Sequence, residues 1–213
     1  MTSEETGKLS MQDEMTGNLL MIFVKNPELG KVKTRLARSI GDKQALAVYQ
    51  ELLKLTQSAT DSLNVTRQVW YSRFIEQEDQ WKENYQKRLQ RGADLGMRMK
   101  SAFQEAFDNG FEKVVIIGSD CAEMTPGLLR EAFQLLEKKD VVIGPSRDGG
   151  YYLLGMANFY PGLFEDKKWS TPAVGEQTIR QLQEMQVSHA LLPVRNDIDT
   201  AQDLAESTQL SYI

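Results

Sequence analysis

KVVIIGSDCAEMTPGLL, Lys113 to Leu129, decides the fold. The run from Val114 to Ile117 is β-branched and turns polar at Ser119 and Asp120, which reads as a central strand followed by a short turn. Thr125 and Pro126 then read as a helix N-cap and first helical residue. Leu129, Ala132, Phe133 and Leu136 follow at helical spacing, so this helix turns one apolar face inward. A strand feeding a covering helix is the unit of an α/β layer fold, and it delivers Asp120 to the carboxyl edge of the sheet.

The same alternation runs upstream. LLMIFVK, Leu19 to Lys25, reads as a buried first strand, and Ala45, Tyr49, Leu52, Thr56, Ala59 and Leu63 mark a covering helix between Asp42 and Leu63. RQVWYS, Arg67 to Ser72, is a second strand, and the charged segment around Trp81 reads as a short helix. Leu95, Met99, Ala102, Phe103 and Ala106 form another helical stripe that stops at Asn109 and Gly110.

Downstream, Val141 to Pro145 and Tyr151 to Met156 are strand-like runs joined through Asp148, Gly149 and Gly150, a hairpin that interrupts the parallel pattern. Val174 to Gln186 reads as helix, His189 to Pro193 as a last strand, and Thr200 with Asp203 as a capping box. The expected architecture is a single α/β domain over residues 18–213. Its central sheet is mostly parallel, with helices on both faces and a β-hairpin near 141–156. Residues 1–17, polar and acidic, read as a flexible tail and not as a secretory signal.

The 213 residues suit one domain, and 41% hydrophobic with 26% charged residues is ordinary for a globular chain. Lys and Arg number 25 against 30 Asp and Glu, a net charge of -5, which argues against a broad nucleic-acid-binding face. No apolar run approaches the roughly 20 residues of a membrane span, and the expected location is cytoplasmic. Cys121 and His189 are the only residues of their types, which excludes an intrachain disulfide, a Cys/His zinc site and a two-histidine metal site. A hydrolase triad would need His189, which lies in a strand pattern, and the GxSxG nucleophile turn is missing.

Against this acidic background one basic loop stands out. KNPELGKVKTRLAR, Lys25 to Arg38, carries five basic residues and one acidic, where the first strand runs into the first helix. In open α/β sheets ligands bind outside the carboxyl ends of the strands, and a following helix start favours anions. Lys25, Gly30, Lys33, Thr34 and Arg35 are thus candidates to hold nucleotide phosphates; the alternative is a solvated basic helix start. Walker A is absent, since Lys25 and Val32 stand where its first Gly and its Ser or Thr belong.

Asp120 on the same rim can hold Mg²⁺ or Mn²⁺ against phosphates, or cap its own turn. Asp199 in DIDTAQDL is a candidate second carboxylate, with turn duty as the alternative. In RDGGYYLLG, Asp148, Gly149, Gly150, Tyr151 and Tyr152 are candidates to meet an acceptor, or else they build a tight turn over core aromatics. Asp94 in QRGADLGMRM is a candidate for a base or ribose hydrogen bond. Cys121 reads as a small buried residue.

FVKNPELGKVKTRL, GADLGMRM, IGSDCAEMTP, GPSRDGGYYLLG, KWSTPAV and DIDTAQDL, in this order, resemble the glycosyltransferase-like family associated with arsenosugar biosynthesis. That family lies within the nucleotide-diphospho-sugar transferase, or GT-A, superfamily. More remotely the chain is similar to phospholactate guanylyltransferase, the molybdopterin nucleotidyltransferases and a cytidylyltransferase acting on a keto sugar acid. The resemblance implies an enzyme binding a nucleotide sugar or NTP with Mg²⁺ or Mn²⁺ and transferring a glycosyl or nucleotidyl group to a small acceptor. Lys33 and Arg35 would grip phosphates, Asp120 would act beside them in catalysis, and Asp120 with Asp199 would hold the metal. Asp148 to Tyr152 would face the acceptor. The DxD pair of many GT-A enzymes is here Ser119, Asp120 and Cys121, and the nucleotide loop has lost most of its glycines. An inactive nucleotide-binding regulatory module is therefore the alternative.

Overall fold

A computed structural model of the chain describes residues 17–210; the expected tail, apart from Gly17, lies outside the described residues. In chain order the first half comprises β1 (Asn18–Val24), α1 (Thr34–Ile40), α2 (Asp42–Thr60), β2 (Thr66–Tyr71), β3 (Tyr85–Leu89) and α3 (Leu95–Asp108). The second half comprises β4 (Lys113–Ile117), α4 (Pro126–Leu135), β5 (Val141–Pro145), β6 (Tyr151–Met156), α5 (Val174–Glu184), β7 (His189–Leu191) and α6 (Ala201–Glu206). A 3-10 turn, Pro161–Phe164, lies between β6 and α5.

Among the described residues all seven strands join one sheet in the order β3-β2-β1-β4-β6-β5-β7. Only β6 runs antiparallel, against both β4 and β5, as the hairpin reading expects. This mixed, mostly parallel α/β architecture is the one the strand and helix pattern predicts. Strand order grows outward from β1 in one direction to β3 and from β4 in the other. The β1/β4 boundary is therefore the topological switch point, where such sheets open a crevice at their carboxyl ends.

The apolar run of β1 is continuous because both its faces are covered. Leu20, Ile22 and Val24 join the core beneath α2 and α4, while Leu19, Met21 and Phe23 join the core beneath α3 and α5. Each fully buried side chain of this size stabilises the fold by ~1.5–3 kcal/mol, which fixes the register of the central strands. Caps set the helix starts: Asp94 accepts from Met97 N at 2.8 Å, and Thr125 accepts from Leu128 N at 3.2 Å. Thr200 and Asp203 form the capping box of α6.

Two expectations are corrected. The segment around Trp81 is not a helix; it leads into β3, which pairs parallel with β2 from Arg67↔Tyr85 to Tyr71↔Leu89. Trp81 packs on Tyr85 with ring centroids 5.2 Å apart, and apart from Tyr85 the residues of β3 are not buried. Charged residues protect an exposed edge strand from further pairing and also erase its apolar signal. The basic loop does not extend unbroken to Arg38 either: Thr34–Ile40 is a separate helix, ended by Gly41 at φ 85 before α2 begins.

Among the described residues no helix is long and apolar enough to cross a membrane.

Candidate active site

The chain leaves β1 at Lys25 and is at once tied to its neighbours. Tyr49 Oη on α2 accepts from Lys25 N at 2.8 Å and lies 3.2 Å from Ser119 Oγ beyond β4. The buried Asn26 donates from Nδ2 to Phe74 O and accepts at Oδ1 from Arg73 N, which joins the β1 and β2 loops. These bonds hold open the crevice at the switch point.

The basic loop then turns inward. Lys33 precedes α1 in the left-handed region, φ 47 and ψ 42, which costs a non-glycine residue ~1–3 kcal/mol. That backbone carries its side chain into the rim, where only 3% of it is exposed. Its Nζ lies 2.5 Å from Asp120 Oδ1 and 3.2 Å from Asp199 Oδ1, and Arg35 Nη1 lies 3.5 Å from Asp199 Oδ2. Burial works against the charge of Lys33, but Asp120 and Asp199 outweigh it and hold the ammonium above the usual lysine range. Desolvation likewise opposes the charge of Asp120, and Lys33 outweighs it and keeps that carboxylate below its ordinary value.

Asp197 completes the group. Burial, then the charge of Asp120, push its carboxyl up to about 7, against the hydrogen bond that Ser146 Oγ donates at 2.8 Å. In DIDT the two outer acids are two residues apart, which puts them on one side of an extended segment while Ile198 between them is buried at 3% exposure. That spacing is the signal in the sequence for Asp197 beside the expected Asp199.

These groups line one cavity of about 780 Å³, within the range of small-molecule and cofactor sites. Lys25, Lys33, Thr34, Arg35, Asp94, Asp120, Asp148, Gly150, Tyr151, Tyr152 and Asp199 all border it; Gly30 and Gly149 do not. One oxygen of Asp94 serves the α3 cap. Gly149, at φ 88, has a packing reason to be glycine: a Cβ there would sit 2.0 Å from Pro172 O. Tyr152 is buried and donates to Pro193 O at 2.9 Å. His189 lies at the start of β7, at the opposite end of the sheet, with Nδ1 near Val187 O. Cys121 is buried, and desolvation followed by the charge of Asp197 pushes its thiol up to about 12, where it is not nucleophilic.

Sequence reasoning assigned no role to two further parts of the wall. Arg98 lines the cavity, donating to Gly92 O and Gln90 Oε1. Trp169 lies against α3, where a Cβ on Gly96 would sit 2.0 Å from its Nε1. The Arg98 contacts are local to the turn before α3, whereas the Trp169 contact joins segments far apart in the chain.

Asp120 and Asp199 converge on a single cation, the Lys33 ammonium, so their oxygen donors suit a divalent ion that completes its shell with water and phosphate oxygens. Among the described residues no three Asp, Glu, His or Cys side chains are grouped to hold a metal by themselves. The donor set fits a two-carboxylate site finished by a ligand.

A search of curated proteins gives no match. Among solved structures, a Desulfovibrio desulfuricans G20 protein described as a candidate nucleotide-diphospho-sugar transferase is similar with a TM-score of 0.82 and 30% identity, over 92% of this chain and 93% of that one. The inositol-1-phosphate CTP transferase of T. maritima shares the fold at a TM-score of 0.54 and 14% identity, covering 89% and 92% of the two chains. A Mycobacterium tuberculosis H37Rv protein solved in complex with manganese does so at 0.50 and 11%, covering 92% and 99%. A family model described as "Uncharacterized protein conserved in bacteria (DUF2064)" matches residues 55–171, more than half of the chain, and the protein belongs to that family.

Proposed function

We propose that this protein is a cytoplasmic transferase that binds a nucleotide sugar or nucleoside triphosphate and passes a glycosyl or nucleotidyl group to a small acceptor. The observation that carries this reading is the meeting of Lys33 and Arg35 with Asp120 and Asp199 on one cavity at the switch point. The fold shared with named transferases supports it.

Lys25, Lys33, Thr34 and Arg35 face the nucleotide phosphates, with Gly30 in the same loop, and Asp94 keeps one oxygen for base or ribose. Asp120 and Asp199 hold Mg²⁺ or Mn²⁺, which when bound supplies neutralisation of phosphate charge. Asp148, Gly150 and Tyr151 face the acceptor, with Gly149 and Tyr152 shaping the turn beneath them. In glycosyl transfer an acceptor hydroxyl bonds to the anomeric carbon and the bond from that carbon to the β-phosphate oxygen breaks. The nucleoside diphosphate leaves with the electron pair, and the hydroxyl proton passes to a base. In nucleotidyl transfer the acceptor oxygen attacks the α-phosphorus and diphosphate leaves. Either way negative charge grows on phosphate oxygens, and fixed cations stabilise that state more than the ground state. The resemblance to the arsenosugar-associated family favours the glycosyl reaction.

One observation favours a second reading, a non-catalytic nucleotide-binding module: the Lys33 ammonium already bridges the two carboxylates that a metal would use. A melting screen of nucleotides and nucleotide sugars, with and without Mn²⁺, followed by turnover assays of the ligands that bind, separates the readings. Ligand at a hundredfold excess over Kd stabilises by about 2.7 kcal/mol, or about 5–10 °C for a domain of this size. A metal-dependent rise with turnover supports the transferase, a rise without turnover the module, and no rise for any nucleotide removes both.

A further inference from the structure

The cavity is charged unequally. Every cation that lines it, Lys25, Lys33, Arg35 and Arg98, comes from the β1 loop, the start of α1, or α3. The rest of the lining, from the β5–β6 turn, the start of β6 and the segment before α5, offers Asp148, Tyr151, Trp169, Ser170 and Thr171, joined by Asp197 after β7, and no lysine or arginine, although Trp169 packs on α3 at Gly96. Of the basic residues nearby in sequence, Arg147 pairs with Glu206 at 3.4 Å, Arg195 with Glu123 at 3.5 Å and Lys167 Nζ donates to Leu163 O at 2.5 Å, while the exposed Lys168 does not line the cavity.

This wall is rigidly placed. Phe164 stacks on the Trp169 indole at 6.3 Å, and Gly96 leaves room for its Nε1 edge on α3. Gly175 N donates to Gly149 O at 2.9 Å, locking the segment after Trp169 onto the hairpin turn. Ser170 is held in the left-handed region, φ 61, between the two anchors. Tyr151 Oη takes no hydrogen bond among the described residues, although desolvation keeps the phenol protonated.

A phosphate or carboxylate on an acceptor is recognised by Arg, Lys or clustered N–H donors. A neutral sugar or polyol is recognised instead by carboxylates and hydroxyls that meet its O–H groups, and by an aromatic ring that covers its C–H face. Resting on the transferase reading, we infer that this wall selects an uncharged, polyhydroxylated acceptor, with Trp169 as its specificity-determining platform, and that phosphorylated acceptors are excluded. The phosphates in the reaction all belong to the donor, held by the cationic part of the lining.

The test uses the full chain saturated with Mn²⁺-free Mg²⁺ and the nucleoside diphosphate that raises its melting temperature most, so that the phosphate grip is filled. Saturation-transfer NMR then compares methyl glucoside, galactose, myo-inositol and glycerol with glucose 1-phosphate, inositol 1-phosphate and glycerol 3-phosphate. Transfer to ring protons of at least one neutral probe, undisturbed by its phosphorylated partner, is expected. Trp169→Ala should weaken that binding roughly 3- to 10-fold, Trp169→Phe should restore most of it, and both variants should keep the nucleotide-induced melting shift. Phosphorylated probes that bind in preference, a nucleotide-loaded protein that takes no neutral probe, or a Trp169→Ala variant that binds as well as wild type would each overturn the inference while leaving nucleotide binding intact. Absence of any nucleotide-induced shift would remove the transferase reading and this inference with it.

Discussion

At the amino end of the sheet Asp61 and Asp140 have partners of their own, whereas at the carboxyl end Asp120 and Asp199 share one buried lysine, with Asp197 beside them. Asp61, before β2, accepts from Lys82 and from Tyr85 Oη at 2.9 Å, and Asp140, before β5, accepts from Ser188 Oγ at 2.5 Å and Asn158 Nδ2 at 3.2 Å. Some burial opposes the charge of Asp61, but Lys82 and Tyr85 outweigh it; Ser188 is the main influence on Asp140, and both carboxylates lie below their ordinary range. At the other end Asp120 and Asp199 crowd Lys33, and Asp197 rises to about 7 through burial and the charge of Asp120. Settled pairs are what a scaffold needs. An excess of carboxylate held close by a strained backbone suits a site whose charges are completed by a ligand.

The largest effect is expected at the crowded end. Lys33→Ala should lower turnover by roughly 10²–10³ without unfolding the chain, and Arg35→Ala, whose side chain is 65% exposed, should also lower it. Asp61→Asn at the settled end should leave turnover alone. Steady-state kinetics with circular dichroism checks this contrast, and equal turnover in wild type and both cation variants would erase it. Asp120→Asn should weaken metal-dependent nucleotide binding about 10- to 100-fold with the fold intact; calorimetry with and without Mg²⁺ reads this, and unchanged metal dependence counts against the assignment.

A packing change at the hairpin turn should act on stability. Gly149→Ala meets Pro172 O at 2.0 Å and must adopt φ 88, a combination expected to destabilise by about 2–4 kcal/mol, visible as a lower urea midpoint. A midpoint unchanged from wild type would show that the turn can open without penalty.

The smallest effect tests the settled end by pH. The folded pKa of Asp140 is depressed, so its contribution is present above the unfolded value, about 3.9, and is lost as pH falls through the folded one. Ser188→Ala should therefore cost ~0.5–1.5 kcal/mol at pH 7 and less at pH 2.5. Some difference should remain, because Ser188 Oγ also accepts from Asp140 N at 3.0 Å. Urea titrations at the two pH values decide, and an equal difference at both would dissociate Ser188 from the charge of Asp140.

What sequence revealed follows the range of the interaction. Thr125 with Pro126, the Asp148–Gly150 turn and the Thr200–Asp203 box were legible because cap and turn chemistry is local. β3 was not, because YQKRL is polar and gains its order from pairing with β2. Lys33 and Asp199 were legible as candidates by residue type, while their approach across 166 residues was not. Trp169 owes its place to Gly96 on another element, and no spacing in KWSTPAV announces that.

The most direct test of one shared nucleotide site is an NMR titration of the full chain with the best-binding nucleotide and Mg²⁺, following backbone amides. Shifts are expected to concentrate at Lys25, Lys33 to Arg35, Gly118 to Asp120 and Asp199. Shifts confined to other faces, or bound nucleotide that leaves these amides unmoved, would contradict the site.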